Sequence, residues 1–227
     1  MKLAALVSSG KDSLYALYLA KKEHEISYIV TIISENVESY MYHVPNAKFV
    51  REQAKSMNIP LVMKKSIGKK EEELIDLKNI LKNLKKKGID GIVSGAVASK
   101  YQKSRIDEIC KELNLKHLSP LWGADPEKLV HDMINNNFKI IITAVGAPPL
   151  NDSWLGKKLD EVCLNELIKL NKSNKISING EGGEYETFVI DCPLFTQKIE
   201  IVDSEKVWDS FTKSGVLEIN KIKLVEK

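Results

Sequence analysis

Leu3-Ala4-Ala5-Leu6-Val7-Ser8-Ser9-Gly10-Lys11-Asp12-Ser13 is the stretch from which the fold is read. An apolar run of strand length ends in a small polar turn, and Leu14, Leu17 and Tyr18 then recur at helical spacing. A buried strand therefore runs through residues 8–13 straight into a helix. Such a turn aims backbone N–H groups and the positive end of a helix dipole at one point, which suits a phosphate. Lys11 adds a mobile charge, Ser9 and Ser13 add hydroxyls, and Asp12 is placed to hold a magnesium ion against the same phosphates. The competing reading is an ordinary strand-to-helix turn capped by Ser9 or Asp12. The common P-loop is excluded, since it needs a second glycine and a longer loop.

Working outward, strand-like runs at 26–34, 61–67, 89–97, 116–121 and 138–145 alternate with helical patterns. One helix spans about 45–57, and a second carries Leu74, Leu77, Leu81 and Leu84 on one face. A third presents Ile106, Ile109, Cys110 and Leu113. A fourth starts with Asp125 as N-cap and Pro126 in its first turn, turning Leu129, Val130, Met133 and Ile134 inward. Continuously apolar runs such as Ile140-Ile141-Ile142 suit strands covered on both faces. The expectation is an α/β fold with a doubly wound parallel sheet, whose ligands sit beyond the carboxyl ends of the strands. The rhythm changes after Gly146-Ala147-Pro148-Pro149. A helix over 159–170 and strands at 185–192, 198–202 and 217–224 predict a smaller α+β portion. The expected division is 1–147 and 148–227.

Composition narrows the function. With 43% hydrophobic and 29% charged residues the 227-residue chain reads as soluble and globular. Lys and Arg exceed Asp and Glu by only 34 to 31, which supplies no electrostatic argument for nucleic acid. The basic run Lys85-Lys86-Lys87 before Gly88 reads as a solvated helix end. No apolar run approaches a membrane span and the N-terminus enters a strand, so a cytoplasmic protein is expected. Cys110 and Cys163 sit on apolar helical faces and Cys192 ends an apolar strand. With no C-x-x-C spacing, these are expected to be reduced and buried.

A second constellation is Gly180-Glu181-Gly182-Gly183-Glu184-Tyr185-Glu186-Thr187, with three glycines and three carboxylates in eight residues. Glycines let the backbone approach a ligand closely. Massed carboxylates call for a cation such as magnesium, a basic side chain or a cationic substrate, unless the loop is simply solvated.

The hexapeptide at 8–13 resembles the SGGXDS loop of ATP pyrophosphatases, with Ser8 or Ser9 in place of the first glycine. The whole chain resembles the diphthine–ammonia ligase family, of the adenine nucleotide alpha hydrolase-like, Rossmann-like superfamily. The matching pieces are residues 9–13, 38–43 (Glu-Ser-Tyr-Met-Tyr-His), 95–105 (Gly-Ala-Val-Ala-Ser-Lys-Tyr-Gln-Lys-Ser-Arg), Pro120-Leu121-Trp122, Trp154-Leu155-Gly156 and 180–187, followed by Pro193-Leu194-Phe195. Lys157 stands where the resemblance leads one to expect arginine.

The resemblance implies amidation of the diphthine carboxylate on translation elongation factor 2, using ATP and ammonium, through an acyl-adenylate. AMP and pyrophosphate would be released, with ATP as substrate and magnesium alongside it. It implies catalytic roles for Lys11, Asp12, Glu184 and Glu186, with Asp12 on the metal. ATP contacts fall to Ser8, Ser9, Gly10, Lys11, Asp12, Ser13, Gly95, Tyr101, Gln102 and Arg105. Substrate contacts fall to His43, Trp122, Trp154, Glu181 and Tyr185. Diphthine's trimethylammonium group gives the glutamates, with Tyr185 or Trp154, a use as a cation pocket. The alternatives are a tRNA-modifying ATP pyrophosphatase, a nucleotide-binding module of the universal-stress type, and amidation of another carboxylate. No membrane and no direct nucleic-acid contact are expected, and a homo-oligomer is left open.

Overall fold

The computed structural model describes residues 1–34, 46–66 and 70–227. Two compact units divide it, 1–122 and 123–227.

In the first unit β1 (Lys2–Leu6) leads into α1 (Lys11–Lys21) and β2 (Glu25–Ser34). There follow α2 (Val50–Met57), β3 (Leu61–Ser66), α3 (Lys70–Lys86), β4 (Gly91–Val93), α4 (Lys100–Glu112) and β5 (Lys116–Leu118). Among the described residues these strands form a five-stranded, wholly parallel sheet in the order β3-β2-β1-β4-β5. The chain winds outward from β1 to one edge, then returns past β1 to build the other side. With right-handed crossovers this places α1 and α2 on one face and α3 and α4 on the opposite one. The expected doubly wound sheet is present.

Strand β1 lies at the centre, and Leu3, Ala4 and Ala5 are fully buried. On one face Ala4, Val30, Ile32 and Ile92 meet Leu74, Leu77, Leu81 and Leu84 of α3 and Ile106, Ile109 and Cys110 of α4. The i, i+3, i+7, i+10 leucines of α3 therefore form one continuous apolar stripe on the sheet. Strands β4 and β5 are shorter than the apolar runs around them. Past Val93 the chain stops pairing with β1 and becomes a connection.

The second unit begins with α5 (Pro126–Asn135), capped by Asp125, whose carboxylate accepts from Lys128 N at 2.8 Å. Then come β6 (Lys139–Val145), α6 (Glu161–Asn174), β7 (Tyr185–Asp191), β8 (Lys198–Asp209) and β9 (Ser214–Val225). These strands form an antiparallel sheet in the order β7-β6-β9-β8. Here the sequence reading is corrected: β6 was expected in the parallel sheet and instead pairs antiparallel with β7. The division accordingly falls between Trp122 and Gly123, not at 147/148. The helix expected over 159–170 is α6, and it runs one turn further, to Asn174.

No helix among the described residues is long and apolar enough to cross a membrane.

Replacing fully buried Leu81 by alanine opens a cavity between α3 and the sheet. Urea unfolding of Leu81→Ala is expected to show a loss of about 2–5 kcal/mol at unchanged m-value.

Candidate active site

The strand order fixes where ligands go. Connections after β1 and β4 leave in opposite directions, opening a crevice at the carboxyl end of the sheet. Residues 8–13 form the first connection, while Gly95 and the start of α4 belong to the second.

Gly10 is the N-cap of α1, with φ −82° and ψ 168°, and no side chain caps the helix. The competing reading, a turn capped by Ser9 or Asp12, is thereby excluded. Among the described residues no side chain caps the first-turn N–H groups, which with the positive end of the helix dipole lie at this first connection. Ser13 instead braces the turn. Its hydroxyl donates to Gly10 O at 3.0 Å and accepts from Ser8 N at 3.2 Å. Ser9 is fully buried at φ 77°, the left-handed region that glycine adopts without strain. That geometry assigns Ser9, rather than Ser8, to the first glycine of the SGGXDS pattern.

Lys11 is 3% exposed, and its Nζ lies 2.7 Å from Asp12 Oδ2. Asp12 Oδ1 is also buried, with no hydrogen-bond partner among the described residues, as is Ser9 Oγ. Buried carboxylate oxygens are rarely left unmatched, so Asp12 retains the capacity to accept a cation or donor. Among the described residues no three His, Cys, Asp or Glu side chains converge on one point. The donor set nevertheless suits magnesium, which commonly takes one or two carboxylates and completes its shell with phosphate oxygens and water.

Gly95 lies against this helix start. A Cβ there would fall 2.6 Å from Ser13 N and 2.7 Å from the Asp12 carbonyl carbon. Any side chain at 95 would therefore displace the first turn of α1. Behind the loop, fully buried Gln53 of α2 donates from Nε2 to Ser9 O at 3.2 Å. Thr31 Oγ1 likewise donates to Val7 O at 2.8 Å. Neither residue was singled out from the sequence. The signal for Gln53 was a polar residue in the apolar stripe Val50, Ala54, Met57.

Tyr101, Gln102 and Arg105 lie on α4, whose N-cap Ser99 accepts from Gln102 N at 3.3 Å. The Arg105 guanidinium is 3.3 Å from Glu108 and 5.7 Å from the Tyr101 ring. Trp122 is 38% exposed, with Lys103 Nζ 5.6 Å from its ring centre, so it is no core residue. A further group went unread in the sequence: His117 of β5 is bonded to Asp107 of α4 at 2.6 Å and to Ser94 at 2.7 Å. His43 lies outside the described residues.

In the second unit the acidic segment is shaped from within. Glu184 Oε1 accepts from Ser177 N at 3.0 Å and Oε2 from Gly182 N at 2.9 Å. Backbone donors thus give each oxygen of this carboxylate a hydrogen-bond partner within the loop itself. Gly146 N donates to Glu184 O at 2.9 Å, and a Cβ at 146 would meet Gly183 O at 2.6 Å, so the loop seats on the end of β6. Tyr185 and Trp154 are 3% and 6% exposed. The Tyr185 hydroxyl donates to Ile178 O at 2.6 Å. One face of Trp154 is covered by Lys157 Nζ at 4.4 Å, and Lys157 pairs with Glu166. Neither ring is presented to solvent. Glu181 is exposed, and Glu186 is half-buried on β7.

All three cysteines are free and buried, and burial pushes each thiol up to about 12.

Residues 1–117 match the diphthamide synthase N-terminal domain, and residues 125–225 match the diphthamide synthase C-terminal domain. The chain belongs to the diphthamide synthase family. The family's two domains bracket the division seen in the structure. Among its curated members, diphthine–ammonia ligase of Mus musculus is 37% identical over 251 residues, covering all of this chain and 94% of its own length. The Homo sapiens diphthine–ammonia ligase is 36% identical over 252 residues with the same coverage. That of Schizosaccharomyces pombe is 34% identical over 225 residues, covering 91% of this chain but only 37% of its own length.

Two substitutions separate the demands on this loop. Gly95→Ala is expected to weaken ATP binding, measured by calorimetry, at least about tenfold while cooperative unfolding persists. Ser9→Gly, which removes a left-handed serine, is expected to raise stability to urea by about 1 kcal/mol.

Proposed function

We propose that this chain is an ATP-dependent ligase that converts the carboxylate of diphthine on translation elongation factor 2 into an amide with ammonium. The observation that carries the reading is the start of α1 at the switch point, uncapped among the described residues and beside a buried Asp12 oxygen that has no partner among them, in a chain of this family.

The chemistry follows from the substrate. A carboxylate resists attack by ammonia because oxide would have to leave. Its oxygen attacks the α-phosphorus of ATP, the bond to the β-phosphate oxygen breaks, and pyrophosphate departs. The acyl-adenylate then accepts ammonia at the acyl carbon. The tetrahedral adduct expels AMP, and the nitrogen loses its proton to solvent or a base. The protein's task is positioning and charge neutralisation in a site closed to water.

In this reading the α1 N-terminus, Ser8, Ser9, Gly10 and Ser13 hold the departing pyrophosphate, and Lys11 offsets its charge. Gly95 keeps the crevice floor flat, and Tyr101, Gln102 and Arg105 flank the nucleotide. Asp12 would hold magnesium, which supplies charge compensation on the phosphates. Trp122 offers an exposed ring to substrate. Glu181 and Glu186 attract the trimethylammonium group, Glu184 holds their loop in shape, and Trp154 and Tyr185 support it from beneath. Three deeply buried thiols disfavour a sulfur-transferring tRNA enzyme, whose chemistry needs a thiolate.

The test is mass spectrometry of diphthine-bearing elongation factor 2 incubated with the protein, magnesium-ATP and ammonium, with nucleotides resolved in the same sample. Amide formation with an equal yield of AMP is the expected outcome. AMP without amide would move the search to another carboxylate, and intact ATP would overturn the ligase reading. Glu186→Gln is expected to raise KM for the diphthine protein about tenfold and leave KM for ATP unchanged.

A further inference from the structure

Ser94, His117 and Asp107 form a chain of short hydrogen bonds directly beneath the second connection of the crevice. His117 is 3% exposed on β5. Its Nδ1 lies 2.6 Å from Asp107 Oδ1, and its Nε2 lies 2.7 Å from Ser94 Oγ and 3.1 Å from Ser119 Oγ. A carboxylate only accepts, so Nδ1 carries the ring proton and Nε2 accepts from both hydroxyls. Asp107 is held in turn by Lys103 Nζ at 2.6 Å.

The order serine–histidine–aspartate is that of a hydrolytic triad, but the placement is not. Ser94 is 4% exposed, and its backbone N donates to Leu118 O at 3.0 Å within the sheet. Its partners lie on the neighbouring strand and under α4, leaving a substrate no approach to its oxygen. What Ser94 does have is position: it is the residue before Gly95, whose Cα lies against the first turn of α1.

We propose that His117 is a positioning residue for the nucleotide site, fixing the Ser94 hydroxyl and with it the end of β4 that carries Gly95 against α1. The assignment rests on the reading of residues 8–13 and Gly95 as the ATP site. Asp107 and Lys103, both from α4, are the charged groups that face His117, whereas β4 and the segment after β5 present only hydroxyls. Burial pushes the imidazolium down, the Asp107 contact opposes it, and burial wins. In Asp107, burial opposes the charge, but hydrogen bonds from Lys103 and His117 outweigh it and hold the carboxyl below its usual range. The ring is thus neutral at pH 7. Once protonated, Nε2 becomes a donor and can no longer receive two hydroxyls.

Two variants cut the strut at different ends. His117→Gln keeps an acceptor near Nε2 for Ser94, while His117→Asn keeps a donor near Nδ1 for Asp107 and drops Ser94. AMP formation at varied ATP is expected to show KM for ATP raised about fivefold in His117→Asn, within about twofold of wild type in His117→Gln, and kcat little changed in both. The wild-type KM for ATP is expected to rise with acid only at pH values below the ordinary histidine range, because burial holds the His117 imidazolium down, and this rise is expected to vanish in His117→Gln. Equal KM in all three proteins, or parallel loss of kcat and Tm in both variants without a change in KM, would overturn the proposal. Hydrogen exchange without nucleotide separates this proposal from the ATP reading. His117→Asn should lose amide protection at Ser94 and Leu14, whose N–H groups donate to Leu118 O and Gly10 O, and His117→Gln should not. If wild type handles no ATP, that reading alone fails, while unaltered protection in His117→Asn overturns the strut.

Discussion

The close approach of Gly95 to the first turn of α1 is the constraint around which the first unit is arranged. Two connections that leave the sheet in opposite directions would normally part. Here the absence of one side chain lets them meet, so that helix donors from one and the start of α4 from the other face a single crevice. Gln53 and Thr31 secure the first connection from behind, and the Ser94–His117–Asp107 chain secures the second. None of these supports needs to touch a nucleotide. Their effect is to remove freedom from the backbone groups proposed to hold a phosphate, so little ordering would remain to be done on binding.

The acidic segment of the second unit is preorganised by different means. Its glycines free the backbone, and Glu184 spends both carboxylate oxygens on the loop's own N–H groups. Three acids that look equivalent in sequence are therefore unequal in space. Glu184 is committed to the loop, Glu181 stands in solvent, and Glu186 is fixed by the register of β7 opposite Ala144.

Much of this was legible because the relevant physics is local. The run from Leu3 to Ser13 declares a strand, a turn and a helix within a few residues, and the Asp125-Pro126 start of α5 is equally self-contained. Pairing is not local. Ile140-Ile141-Ile142 satisfies a buried strand in either kind of sheet, and nothing nearby specifies that its neighbour is β7. The long ribbon of β8 and β9 was underestimated for a related reason. Asp203, Glu205 and Lys206 are exposed, so the alternation that announces a half-buried strand fades along the middle of β8. Ser9 shows a further limit, since a left-handed backbone is invisible in a serine until the loop around it is seen. His117, Asp107 and Ser94 lie on three separate elements, and only the fold brings them together.

The three thiols carry a consequence for the protein's life under oxidative stress. Burial pushes each thiol up to about 12, so very little thiolate forms at neutral pH, and the sulfurs lie beneath packed side chains. Peroxide, alkylating electrophiles and glutathione disulfide all react through the thiolate. The chain thus has cysteine sulfur in its core without a redox handle, and its fold would outlast oxidation that switches off more exposed cysteine enzymes around it.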